Sequence, residues 1–162
     1  MKPKMAAAYM ATARIFAELS HARRLHVGAI VVKEDRIISI GYNGMPAGWD
    51  NDCEQKEYMT LANNTGEFAS YDFPLQEQDG TMYRLRTRPE VLHAESNAVS
   101  KLARSSESGD GSTMFVTHAP CLDCAKLIYQ SGIRRLFYGE DYREDTGVSF
   151  LRQCGVDVGK ID

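Results

Sequence analysis

Thr113-Met-Phe-Val-Thr-His-Ala-Pro-Cys-Leu-Asp-Cys-Ala-Lys-Leu-Ile-Tyr-Gln130 is the stretch on which the reading of this chain turns. Thr113 to Thr117 is an unbroken β-branched and apolar run, the pattern of a strand buried on both faces. After Pro120 the character changes. Cys121 to Gln130 is helix-forming and stops near Gly132, a plausible C-terminal cap. The next apolar run, Arg135 to Tyr138, reads as a second strand, so the order here is βαβ-like.

Working outward, Val27-Gly-Ala-Ile-Val-Val32 and Arg36-Ile-Ile-Ser-Ile-Gly-Tyr42 flank the polar turn Lys33-Glu-Asp-Arg36 and predict a hairpin. Met5 to Leu19 predicts a helix before it, with Met5, Tyr9, Thr12, Phe16 and Leu19 near one face. His93 to Arg104 predicts another helix, with Ala94, Ala98 and Leu102 inward. Val148 to Gln153 and Gly155 to Val158 predict a last helix and strand. The order α-β-β-α-β-α-β-α-β specifies an α/β fold, a three-layer α/β/α sandwich on a mixed five-stranded sheet. One domain over 1–162 is expected, with an irregular insertion at about 44–92. There Gly44, Pro46, Gly48, Asn63, Asn64, Gly66, Pro74, Gly80 and Pro89 break every period, and a lid or a subunit contact is expected.

Composition narrows the function. The 162 residues carry 19 basic and 22 acidic side chains, a net charge of −3. A chain that neutralises many phosphates carries a basic excess, so a long nucleic acid is not the expected partner; a small basic pocket remains open. No apolar run reaches the length of a membrane span, and no membrane partner is expected. Ala6 to Ala13 is read as a helix rather than a signal-peptide core, because Arg14 and Glu18 follow without a cleavage site. The four cysteines, Cys53, Cys121, Cys124 and Cys154, are then expected in a reducing cytoplasm, the host's if the chain is phage-encoded.

Chemistry concentrates in two segments, His93-Ala94-Glu95 and Pro120-Cys121-Leu122-Asp123-Cys124. Cys121 and Cys124, three apart at a helix start, present their sulfurs on one face. Pro120 precedes them where its missing N–H is harmless, and a helix N-terminus favours thiolates. His93 also begins a helix, and the βαβ-like order brings both helix starts to one sheet edge. Cys-x-x-Cys alone fits a redox pair. With His93 it also fits a structural zinc site completed by Cys53, Cys154 or His118. The third fit is an open site with water in the fourth position, the catalytic pattern, in which the metal acidifies that water. Glu95, two residues from His93, works at the helix mouth, either moving protons or serving as a ligand. His-x-Glu with Pro-Cys-x-x-Cys is the signature of zinc nucleobase deaminases.

With these motifs, Gly41-Tyr-Asn-Gly44 and Gln130-Ser-Gly-Ile-Arg-Arg135 make the chain resemble the deoxycytidylate deaminases of the cytidine deaminase superfamily, most closely their phage-type members. The resemblance covers about Ala13 to Val158. It implies zinc-dependent hydrolysis of dCMP to dUMP and ammonia in pyrimidine deoxynucleotide metabolism. It assigns His93, Cys121 and Cys124 to one catalytic zinc ion and proton transfer to Glu95. Asn43, Thr117 and Ala119 are implied around the sugar and base, and Arg24 and Tyr142 at the phosphate. It further implies activation by dCTP, inhibition by dTTP, Mg2+ with the effector triphosphate, and a homohexamer. The effector site is implied at Gly41, Tyr42, Asn43, Gly44 and Arg104. Some phage members hold a second zinc through cysteines before the first strand; Ser20 to His26 here contains none. Another cytosine substrate, dCTP or deoxycytidine, and a non-catalytic zinc-stabilised nucleotide-binding module are the competing readings. Asn43 also reads as an Asn-Gly turn residue, and Arg24 as a solvated charge.

Overall fold

The apolar runs of the sequence become a central sheet with a separate core on each face. A computed structural model describes residues 1–60, 63 and 72–161. Among them α1 (Pro3–Ala17), β1 (Gly28–Lys33) and β2 (Arg36–Tyr42) come first. Three short strands follow, β3 (Glu54–Tyr58), β4 (Leu75–Gln76) and β5 (Met82–Thr87). The chain continues through α2 (Ala94–Ala103), β6 (Thr113–His118), α3 (Leu122–Gln130), β7 (Arg135–Glu140), α4 (Thr146–Gln153) and β8 (Asp157–Lys160).

The main sheet has the order β2-β1-β6-β7-β8. β1 is antiparallel to both β2 and β6, whereas β6, β7 and β8 run parallel, so the sheet is mixed as expected. Glu34 and Asp35 take positive φ and close the β1–β2 turn with the twist a tight hairpin needs. Alternate residues then divide the core. Ala29, Val31, Met114, Val116 and Leu136 face a layer made by α2, α3 and α4. Ile30, Val32 and Phe115 face α1.

The buried face of α1 differs from the expected one. It is Ala6, Tyr9, Met10, Ala13 and Ala17, while Met5 and Leu19 are exposed. Alanines at these positions let the helix lie close to the strands, and an apolar-size pattern does not register them.

The stretch expected to be irregular carries a second sheet, antiparallel, of order β3-β5-β4. It leaves and rejoins the main body at one bridge. Gly44 N–H donates to Leu92 O at 3.1 Å and Leu92 N–H to Gly44 O at 2.9 Å. Beneath it Cys53 and Val91 pack on Ala22, from the link between α1 and β1. The described residues hold no helix long and apolar enough to cross a membrane.

Candidate active site

The start of β1, the ends of β2, β6 and β7, and the N-termini of α2 and α3 meet at one edge of the main sheet. This follows from register: Gly28 pairs with Tyr42, Ala29 with Val116, and His118 with Glu140. His93 is the N-cap of α2 and Cys121 the N-cap of α3. His93 makes no capping hydrogen bond. Its ring faces the sulfurs instead, with Nδ1 3.6 Å from Cys121 Sγ and 3.4 Å from Cys124 Sγ.

These three side chains could hold a metal ion, by donor chemistry and by spacing. Their ligand atoms lie within 4.8 Å of one another, and among the described residues no fourth histidine, cysteine or carboxylate joins them. A tetrahedral zinc with Zn–S of about 2.3 Å and Zn–N of about 2.0–2.1 Å separates nitrogen from sulfur by roughly 3.6 Å. The observed separations match that value. A closed four-ligand site through Cys53, Cys154 or His118 is not formed. Cys53 packs in the small core against Ala22 and Cys154 caps the end of α4. All four cysteines are free thiols, and the Cys121–Cys124 pair is accounted for by the metal site.

Electrostatics support the same assignment. The neighbouring Cys124 thiol and the His93 imidazole hold the Cys121 thiol down to about 4. Cys124, hydrogen-bonded to that thiolate and buried, is pushed up. The ion-free pair thus shares one proton, which a metal displaces. Glu95, one turn into the same cavity, is 4 % exposed. Burial raises its carboxyl above the ordinary range, against the pull of its own backbone N–H and of His93. A carboxyl so raised takes up a proton more readily than a solvated one. It stands outside the ligand group.

A cavity of about 350 Å³ opens over these residues. Of the residues read from sequence, Arg24, Asn43, Ala119 and Tyr142 line it beside His93, Glu95 and Cys121. Asn43 is buried and ties two strands together: its Oδ1 accepts Val27 N–H at 2.8 Å and its Nδ2 donates to Leu25 O at 2.9 Å. Thr117 is not in the lining. Its hydroxyl accepts Gly28 N–H at 3.2 Å and bonds His118 Nδ1 at 3.0 Å. Gly41 lies on β2 with α2 pressed against it. Tyr42 carries the Lys101 ammonium 5.9 Å over its ring. Gly44 forms the neck of the insertion. Arg104 caps the far end of α2, roughly 15 Å of helix from His93.

Several lining residues escaped the sequence reading. His118 and Glu140 pair at 3.4 Å. Arg143 adjoins Tyr142, and contiguity with that tyrosine was the available signal. Glu54 and Thr87 come from the insertion, where no period marked them.

A sandwich that gathers a His-Cys-Cys group and a buried glutamate under one cavity fits the arrangement of the zinc nucleobase deaminases. Comparison with known proteins gives the family. A family profile described as the cytidine and deoxycytidylate deaminase zinc-binding region matches residues 3–140, and the chain belongs to that family. It is 35% identical over 151 residues to deoxycytidylate deaminase of Enterobacteria phage T4, covering 83% of this chain and 78% of that one. Human deoxycytidylate deaminase is 34% identical over 140 residues, with 85% and 66% covered. The crystal structure of dCMP deaminase from the cyanophage S-TIM5, in complex with dCMP and dUMP, superposes with a TM-score of 0.78. That chain is 41% identical, and each covers 99% of the other.

Proposed function

We propose that this protein hydrolyses dCMP to dUMP and ammonia, as part of pyrimidine deoxynucleotide metabolism in the cytoplasm. The observation that carries the reading is one cavity in which His93, Cys121 and Glu95 share space with Arg24, Tyr142 and Arg143. Among the described residues neither arginine is ion-paired with a carboxylate, so both charges are available to a phosphate. A relative whose structure holds dCMP and dUMP supports the substrate.

His93, Cys121 and Cys124 would hold a zinc ion, which would supply an acidified water as the nucleophile for C4. Glu95 carries protons to ring nitrogen N3 and then to the amino group that leaves C4 as ammonia. Burial of Glu95 suits this work, because it raises the carboxyl's affinity for a proton above that of a solvated one. Asn43 borders the sugar and holds Val27 in place, while Ala119 supplies a wall of the base pocket. Arg24 and Tyr142 take the 5′-phosphate.

The test is ammonia release by the zinc-loaded protein from dCMP, dCTP and deoxycytidine, with Glu95→Gln beside the wild type. The proposal expects dCMP to be preferred and the variant to be folded, zinc-loaded and slower by about 10²- to 10⁴-fold. A nucleotide-binding module without catalysis expects no ammonia from either protein.

Effector control extends the proposal: activation by dCTP and inhibition by dTTP, with Mg2+ on the triphosphate, in a homohexamer. Its support is the resemblance at Gly41 to Gly44 and the Lys101 ammonium beside Tyr42, a cationic group next to an aromatic ring. Sedimentation with and without each triphosphate, and dCMP turnover against dCTP concentration, test it.

A further inference from the structure

The insertion sheet reaches the cavity at a single rung. Glu54 of β3 and Thr87 of β5 are register partners, and both line the cavity. Glu54 is buried, with its side chain 1 % exposed. Burying a carboxylate is costly unless its oxygens are hydrogen-bonded. Here they accept from the backbone of the α1–β1 link. Arg23 N–H lies 3.1 Å from both oxygens, and Arg24 N–H lies 3.2 Å from Oε1.

The two adjacent arginines are treated in opposite ways. Arg23 folds back onto the insertion, its Nη2 2.7 Å from Asp52 and its Nε 3.5 Å from Glu54. Arg24 donates from Nη1 to the Thr87 hydroxyl at 3.1 Å and lines the cavity. The rung therefore grips Arg24 twice, by its backbone through Glu54 and by its guanidinium through Thr87. A neutral hydroxyl orients the group without cancelling its charge, whereas a carboxylate in that place would compete with a phosphate.

We propose that Glu54 and Thr87 are positioning residues for Arg24, so that the insertion sets the preference for a 5′-phosphorylated substrate. The proposal rests on the dCMP reading above. A merely structural role for the rung predicts equal losses on substrates with and without phosphate.

The test compares zinc-loaded wild type, Glu54→Gln, Thr87→Val and Arg24→Ala on dCMP and on deoxycytidine. Glu54→Gln keeps the shape but sets an amide in place of Oε2 against Arg23 N–H, and removes the charge that the Arg23 and Arg24 N–H groups face. It should raise KM for dCMP about 10- to 100-fold with kcat little changed, the loss expected when a bond to a charged group is removed. Thr87→Val should raise it about threefold or more. In both, the ratio of kcat/KM for dCMP over deoxycytidine should fall. A folded, zinc-loaded Glu54→Gln with the wild-type KM and ratio overturns the proposal, and so does an equal loss on both substrates. Should Glu54→Gln not fold, Thr87→Val decides by the same criteria. Wild type without preference for dCMP sinks the dCMP reading and this proposal with it, whereas Arg24→Ala with that preference intact overturns this proposal and leaves the dCMP reading standing.

Discussion

Gly41→Ala tests what holds the catalytic helix in place. A Cβ at this position of β2 would sit 2.0 Å from Ala94 O and 2.7 Å from Ala98 N, both backbone atoms of α2. No side-chain rotation relieves such a contact. The helix has to retreat by about 1.4 Å to bring the nearer atom to the ordinary limit of 3.4 Å. Two hydrogen bonds oppose that movement, Ser39 Oγ to Ala98 O at 2.7 Å and Asn97 Nδ2 to Tyr42 O at 2.8 Å. Overpacking of this kind costs roughly 1–3 kcal/mol of stability. The functional cost is of the same order. Ala94 lies between His93 and Glu95, so the displacement falls on a metal ligand and on the proton carrier together. A misplacement of about 1 Å lowers turnover on the order of 10²-fold.

The assay is kcat on dCMP without effector, with zinc content and thermal midpoint measured on the same sample. Gly41→Ala should lose about two orders of magnitude in kcat, lower its midpoint and bind zinc more weakly. An effector-site role for Gly41 predicts something else: basal kcat and stability unchanged, with the response to dCTP lost. Wild-type kcat and stability in Gly41→Ala would refute the packing argument.

Asn43→Ala removes two backbone contacts of 2.8 and 2.9 Å at a buried position, so it should cost about 1–3 kcal/mol in chemical denaturation as well as raise KM. A stability within error of wild type would show the side chain serves the ligand alone. His118 is held below its ordinary range by burial, which outweighs the opposing pull of Glu140. The unfolded chain therefore takes up this proton first. The stability His118 contributes is present above the unfolded value of about 6.5 and is lost as pH falls through the lower folded value. A His118→Gln variant should show a flatter fall in melting temperature below about pH 6.5 than wild type, and parallel profiles would contradict this. Zinc uptake by chelator-stripped protein should release protons and weaken as pH falls, since Cys124 and His93 both sit above their ordinary values and must be deprotonated to bind. Proton release is read with an indicator dye, and a pH-independent affinity would argue against this ligand set.

The sandwich and its His-Cys-Cys cluster were legible in the sequence because their signals are local. β1 and β6 are buried on both faces, so each shows as an unbroken apolar run. His93 and Cys121 stand at helix starts, where short motifs fix geometry. The second sheet was illegible for a physical reason. β3 reads Glu54-Gln-Lys-Glu-Tyr58, is mostly exposed and has almost no apolar face. Its strands are joined by side-chain pairs across the ladder instead: Arg84 Nε to Glu57 at 2.8 Å, Lys56 with Glu77, and the Tyr58 and Tyr83 rings at 5.9 Å. Pairs between residues far apart in the chain leave no periodic trace. Glu54 was hidden twice, in a strand without a period and as an acidic residue whose burial only the fold reveals.

The site thus has two sources that differ in how tightly they are built in. Metal ligands and Glu95 sit on helices packed against the main sheet, where a small shift disturbs the whole core. The rung that grips Arg24 sits on a sheet joined to the body through the Gly44–Leu92 bridge, a small contact with Ala22 and its inner bonds to Arg23 and Arg24. The roots of that sheet are Asn43 on one side and His93 on the other, so the insertion leaves and returns between a cavity-lining residue and a metal ligand. Substitutions far out on it are separated from the chemistry by a two-bond neck, whereas those at Glu54 or Thr87 act on the arginine directly. Losses in KM should therefore map to the inner rung and losses in kcat to α2 and α3. An outer ion pair such as Lys56–Glu77 should be removable with little effect on either, because exposed pairs contribute only about 0–1 kcal/mol. A large fall in kcat from Lys56→Ala would mean that the outer sheet is coupled rigidly to the catalytic helices, against the two-source account.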